Sequence, residues 1–264
     1  MIKIGCCGFP VSQKRYYRIF SVVEVQATFY DFVSSETLKK WRKDAPPDFE
    51  FILKAFQFIT HPPTSPTYKR AKSLTASFSR KDMKLENLGN FKPTEEVFEC
   101  YRILTQYAEI LGSRIIIFQS PPGFKPVKEN ERNMEEFFKR IDRRDFIFGW
   151  EARGEWKPEE IKRICQRFGL IDVVDPFVRD TTTTVTCATK TDGEGNSRDI
   201  FYYRIHGGKG YREKIGEEKL KYLMEKIQGL TARGVKDGYV MFNNISMFED
   251  ALRFKERLGS NSFA

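Results

Sequence analysis

Short apolar runs alternate along this chain with longer stretches in which apolar residues recur every three or four positions. The runs predict strands and the longer stretches predict amphipathic helices. Strands are expected over Ile2 to Gly5, Val22 to Thr28, Phe49 to Ala55, Arg114 to Gln119, Phe146 to Glu151, Ile171 to Val174, Phe201 to His206 and Gly238 to Phe242. Helices are expected from Gln13 to Phe20, from Ser34 or Ser35 to about Asp44, from Thr94 to Leu111, from Asn130 to Ile141, from Pro158 to Phe168, from Gly216 to Arg233 and from Ser246 to about Leu258. Serine can cap the second and the last of these, and Pro46-Pro47 and Gly112 supply stops. Two stretches break the alternation. His61-Pro62-Pro63 opens a polar excursion to about Lys92, and loops of that length in a compact domain are often functional. Thr181 to Ala188 is a Thr-rich β segment followed by the turn Asp192-Gly193-Glu194-Gly195, an inserted hairpin or a sheet edge.

Eight strands alternating with helices, with no internal repeat or linker, are the pattern of parallel β/α units. The 264 residues suit a single domain, 1–264, folded as a TIM (β/α)8 barrel, with a long loop excursion after the third strand and a β insertion before the seventh. The rival is an open doubly wound sheet, but no G-x-G-x-x-G follows the first strand. In a barrel, chemistry collects at the C-terminal ends of the strands. Those ends carry Cys6 and Cys7; Gln26, Thr28 and Tyr30 with Glu24 deeper; Lys54 and, past it, His61; Gln119; Glu151 and Arg153 with Trp156 beyond; Asp175; Arg204 and His206; and Asn243 with Asn244. Alternation puts Phe201, Tyr203 and Ile205 on one face of the seventh strand and Tyr202, Arg204 and His206 on the other. A surface strand with a solvated Arg and His is the plainer reading of that segment.

The formal charge is +9, which favours an anionic substrate, nucleic acid among them, although the basic residues are spread along the chain rather than gathered in a tail. Five scattered cysteines form neither a zinc pattern nor a disulfide framework, so reduced thiols and a cytoplasmic location are expected. No apolar stretch is long enough to span a membrane, and a signal peptide is not expected where a strand starts at once. No obligate protein partner is implied. The charged fraction of 31% is compatible with a thermophilic source.

The chemistry these residues allow starts with Glu24 and Glu151. Two carboxylates in a partly dry pocket suit acid/base work, while the structural alternative pairs each with Arg or Lys. Arg153, Arg204 and Lys54, with Lys209 and Arg212 at the rim, suit a phosphate or carboxylate, and the Gly207-Gly208-Lys209-Gly210 turn can add backbone donors without being a P-loop. His206 is a candidate proton carrier. With only His61 and His206 present, no multi-histidine metal cluster can form. One divalent cation on Glu151, Asp175 and Glu24 remains open as a cofactor. Tyr30, Trp156 and Tyr202 are candidates to stack on a sugar or base.

Gly5-x-x-Gly8, Val23-Glu-Val-Gln-Ala-Thr-Phe-Tyr30, Ile59-Thr-His61, Phe118-Gln-Ser-Pro-Pro122, Glu151-Ala-Arg153 with Trp156, Val174-Asp175, Tyr203-Arg-Ile-His-Gly207 and Phe242-Asn-Asn244 together resemble the YecE-like family, catalogued as domain of unknown function number seventy-two. The chain departs from the commoner pattern in a short first helix and in Cys7, where a small hydroxyl residue is more usual. The resemblance implies a TIM barrel, with the endonuclease IV and xylose isomerase barrels as fold-level analogies. It implies no settled reaction. The residues favour an enzyme, hydrolase or lyase, acting on a phosphate-bearing substrate such as nucleic acid or a nucleotide. In that reading Glu151 and His206 handle protons and Glu24 orients a cation. Arg204, Arg153 and Lys54 hold the anion, with Tyr30, Gln26, Gln119, Trp156, Asp175, Asn243, Asn244 and His61 around the substrate. A nucleic-acid-binding protein without catalysis, or an enzyme on a sugar or organic acid, are the alternatives.

Overall fold

A computed structural model describes residues 1–72, 84–181, 185–191, 197–207, 211–235 and 237–261. The turn at Asp192 to Gly195, the segment Gly208 to Gly210 with Lys209, and the centre of the polar excursion lie outside the described residues.

Eight parallel strands close on themselves. β1 (Ile2–Cys7), β2 (Val22–Val25), β3 (Glu50–Lys54), β4 (Ile115–Gln119), β5 (Ile147–Glu151) and β6 (Leu170–Val174) pair in sequence order. β6 then pairs with β8 (Ser197–Ile205), β8 with β9 (Asp237–Phe242), and β9 with β1, Ile2 lying opposite Gly238. The inserted β7 (Val185–Thr191) runs antiparallel to β8, so the Thr-rich segment is one arm of a hairpin whose other arm enters the barrel.

The helices are α1 (Gln13–Tyr17), α2 (Ala27–Tyr30), α3 (Ser35–Asp44), α4 (Gln57–Thr60), α5 (Glu95–Leu111), α6 (Lys128–Arg140), α7 (Pro158–Phe168), α8 (Glu217–Ala232) and α9 (Met247–Asn261). Ser34 caps α3, its hydroxyl accepting from Thr37 N at 3.2 Å, and Thr94 does the same for Val97 N at 3.4 Å in α5. Outward strand residues such as Phe118, Phe148 and Trp150 pack under the helices with Phe91, Phe124 and Phe137, so much of the phenylalanine content forms one shell outside the barrel.

Inward residues make a separate core: Val22, Ile52, Ile115, Ile117, Ile147, Ile171, Val173, Tyr202, Tyr239 and Met241 among them. Gly149 leaves room inside, because a Cβ there would meet Ile117 Cδ1 at 2.7 Å and Val173 Cγ2 at 2.8 Å. Above this apolar plug, toward the C-terminal ends, the interior turns polar.

Two elements differ from the alternation read in the sequence. β2 stops at Val25, and Ala27–Tyr30 is a helical turn. Thr28 therefore leaves the polar face of the strand, and its hydroxyl donates to the Lys54 carbonyl at 2.8 Å, closing the end of β3. The described parts of the excursion after β3 are tied down. They make α4 and two short 3-10 turns, Pro66–Arg70 and Leu85–Asn87, and return to bury Leu88 and Phe91. Gly89 N donates to Phe58 O at 2.7 Å and Phe91 N to Ile59 O at 2.8 Å. Only glycine fits position 89, where φ is +80° and a Cβ would lie 2.0 Å from His61 O.

Candidate functional site

Arg204 is the centre of the polar layer. It projects inward from β8 and has no solvent exposure. A charge in that position must be fully paired. Its Nε and Nη2 engage both oxygens of Glu24 from β2, at 3.1 and 3.0 Å, and its Nη1 donates to Glu151 Oε2 from β5. Tyr202 OH donates to Glu24 Oε2 at 2.7 Å, and Gln26 Nε2 donates to Glu24 Oε1. Gln119 Nε2 donates to Glu151 Oε2 at 2.7 Å and its Oε1 accepts from Lys54 Nζ at 2.9 Å. The seventh barrel strand is thus no surface strand: its Arg204 locks β2 to β5 across the barrel.

Glu151 continues the network outward. Its Oε1 accepts from Arg153 Nε at 2.9 Å and lies 3.4 Å from His206 Nε2. Burial works to raise the carboxyl of Glu151, but the Arg204 and Arg153 guanidiniums outweigh it and hold the group well below the usual carboxylate range. Arg153 Nη2 lies 3.1 Å from His206 Nε2, and Asn243 Nδ2 lies 3.4 Å from Nδ1. Both cannot donate to one neutral imidazole. Because guanidinium is always a donor, a neutral His206 accepts from Arg153 at Nε2 and carries its proton on Nδ1, to which the Asn243 amide then presents its oxygen. On taking up a proton, Nε2 can instead donate to Glu151. His206 therefore has a partner for each protonation state.

Burial, helped by Arg204, pushes the Lys54 amine down to about 7, against the pull of Glu24 and Glu151. Its Nζ also sits 3.6 Å from the centre of the Phe29 ring. Burial lowers His61 to about 3. With Nδ1 2.8 Å from Thr60 Oγ1 and its ring edge-on to Phe29, it is a packed neutral ring. Cys6 is raised to about 12 and Cys7 well above the thiol range, chiefly by burial, so neither offers a thiolate.

A cavity of ≈470 Å³ opens beside this network at the ends of β5, β6 and β8. Arg153, His206, Glu151, Asp175 and Arg179 supply its polar wall, and Trp156, Val173, Val174, Val178, Ile161 and Tyr211 its apolar one. The side chain of Arg153 is 38% exposed, so it is the network cation that meets solvent.

The sequence-named residues sort accordingly. Glu24, Gln26, Lys54, Gln119, Glu151, Arg153, Arg204, His206 and Asn243 form one bonded network. Asn244 is a correction: it points away from the mouth, fully buried, donating to Asp250 Oδ2 and the Glu213 carbonyl at 2.7 Å each. Asp175 lines the cavity, but its carboxylate is used on the backbone, accepting from His206 N at 2.9 Å and Phe177 N at 3.0 Å. The ring of Tyr30 is covered by the Arg70 guanidinium at 3.4 Å, and Trp156 is buried against Trp150 and Phe124 with Nε1 donating to Phe124 O. Glu24, Glu151 and Asp175 are not free to ligate a divalent cation: Arg204 stands between the two glutamates and backbone amides occupy the aspartate. Among the described residues no group of three His, Cys, Asp or Glu side chains is placed to hold a metal. No described helix is long and apolar enough to cross a membrane.

Sequence reasoning missed Arg179 and Tyr211. The signal for Arg179 was Asp172, a charge in the middle of an apolar strand; Arg179 grips it with two donors, at 2.6 and 2.7 Å. Tyr211 carried no signal beyond its place after the glycine turn.

The family description "Protein of unknown function DUF72" matches residues 12–263. The UPF0759 protein YunF of Bacillus subtilis is 30% identical over 297 residues, spanning 98% of this chain and 94% of that protein. The crystal structure of a DUF72 family protein from Enterococcus faecalis superposes with a TM-score of 0.65 at 18% identity, over 98% of both chains. That of a DUF72 family protein from Thermotoga maritima gives 0.64 at 21% identity, over 98% of this chain and 99% of that one. With a matching family description over nearly all of its length and a curated relative aligned end to end, this closed parallel barrel belongs to the DUF72 family.

Proposed function

We propose that the protein is an enzyme acting on a phosphate-bearing substrate by acid/base chemistry in the cavity at the mouth of the barrel. The observation that carries this reading is Arg153, a half-exposed guanidinium on the cavity wall held between Glu151 and His206. A guanidinium anchored on one edge has donors left for an incoming anion. The roles follow from the partners. Arg153 holds the anion. His206 exchanges a proton at Nε2, with Glu151 Oε1 ready to accept from the imidazolium. Glu151, kept anionic by two arginines, orients and balances charge rather than donating a proton, which moves the proton-handling role read for it in the sequence onto His206. Glu24 and Arg204 lie beneath and hold the floor. A cavity of ≈470 Å³ is the size of a small-molecule site.

The test is calorimetric titration of the purified protein with inorganic phosphate, together with turnover of a panel of phosphomonoesters. Arg153→Ala should weaken phosphate binding by about tenfold or more, the loss of one charge-assisted contact. His206→Gln should keep binding and lose turnover. Phosphate affinity unchanged in Arg153→Ala sinks the reading. Salt-dependent binding of an oligonucleotide that survives both substitutions would favour the non-catalytic nucleic-acid alternative.

A further inference from the structure

The three aromatic rings that the sequence offers for stacking are all engaged. Tyr30 lies under Arg70, Trp156 is buried on Phe124 and Trp150, and Tyr202 sits inside the barrel with its hydroxyl on Glu24. Tyr211 is different. It lines the same cavity as Arg153 and His206, it is 54% exposed, and it makes no ring contact with another aromatic among the described residues. Its backbone is held in place, the carbonyl accepting from Ile245 N at 2.7 Å. Val178, 70% exposed, lines the cavity too, so the site presents large apolar side chains to solvent at its rim. Exposed apolar side chains beside a cavity lined with fixed cations mark a surface kept for a ligand with both characters.

Resting on the anion reading above, we infer that the substrate is a phosphomonoester carrying a flat, uncharged ring, and that Tyr211 and Val178 form the platform on which the ring lies. The phosphate meets Arg153 on the polar wall, beside His206. The ring covers the apolar wall made by Tyr211, Val178, Val174 and Ile161. A nucleoside monophosphate has this chemistry; a bare sugar phosphate has only the anionic half. Tyr211 is then a specificity-determining residue.

The experiment compares three probes by calorimetry: inorganic phosphate, ribose 5-phosphate and adenosine 5′-monophosphate. Stacking and apolar cover predict that the adenosine nucleotide binds at least about tenfold tighter than ribose 5-phosphate. Tyr211→Ala should erase that preference and leave the affinity for inorganic phosphate unchanged, while Tyr211→Phe should retain it. Equal affinity for the nucleotide and the sugar phosphate overturns this inference and leaves the anion site standing. A preference that persists in Tyr211→Ala overturns the platform. Failure of all three probes to bind overturns the anion reading, and this inference falls with it.

Discussion

Replacing Arg204 with Met keeps much of the side-chain volume and removes the charge that two buried carboxylates share. In the wild type the guanidinium makes two contacts to Glu24, at 3.0 and 3.1 Å, and a third to Glu151, with no exposure of its own. Removing one partner from a buried ion pair costs roughly 3–5 kcal/mol, and here two carboxylates are orphaned at once, so the upper end applies near pH 7. Against a typical total stability of about 5–15 kcal/mol, that is a loss no unfolding experiment can miss. The effect also depends on pH in a defined direction. Wild-type Glu151 is held below its unfolded value, so its stabilisation is fully present above that value and fades as pH falls through the folded one. In Arg204→Met, burial acts on the Glu151 carboxyl with that guanidinium gone, so Glu151 takes up a proton at higher pH than in wild type and acidification costs the variant less. The gap between the two proteins should narrow between about pH 7 and pH 5. Urea unfolding followed by circular dichroism at both pH values measures it. A loss under about 1 kcal/mol at neutral pH, or a gap that widens on acidification, would refute the account of the barrel interior as a charge-paired layer.

Lys54 acts in a higher pH window. Its folded value of about 7 lies below the ordinary lysine value of 10.5, so folding releases its proton and stability rises with pH across that interval, by at most roughly 1.4 kcal/mol per pH unit. Lys54→Met should flatten that slope relative to wild type in unfolding curves taken between about pH 8 and 9.5; an unchanged slope refutes the depressed value. Gly89→Ala forces a Cβ onto the His61 carbonyl at positive φ and should cost about 1–3 kcal/mol in the same assay, whereas Gly123→Ala, with open space around it, should cost little. His206→Gln should lower kcat of any phosphoester turnover more than it raises KM, since the ring lines the cavity beside Arg153.

The barrel was legible because each strand end carries a polar residue where a helix-facing apolar pattern stops. Alternation sorted polar from apolar faces, the barrel reading turned the polar strand ends inward, and Glu24, Lys54, Gln119, Glu151 and Arg204 meet there. Other residues needed tertiary information. Thr28 looks like a continuation of the polar face of β2, yet the chain turns helical at Ala27 because the Thr28 hydroxyl closes the end of β3. Asn244 reads like Asn243, yet one residue further along it faces α9 and binds Asp250. Tyr30, Trp156 and Tyr211 cannot be ranked from sequence, because what separates them is whether another side chain already covers the ring.

The strut made by Arg204 between Glu24 and Glu151 separates two kinds of change. Substitutions at that level alter charge where water cannot compensate, so they act on whether the chain folds. Val178 and Tyr211 stand above it on loops that solvent reaches, where replacing one side chain costs the scaffold little. The rim of this barrel can therefore be rewritten while the charge-paired layer beneath stays as it is.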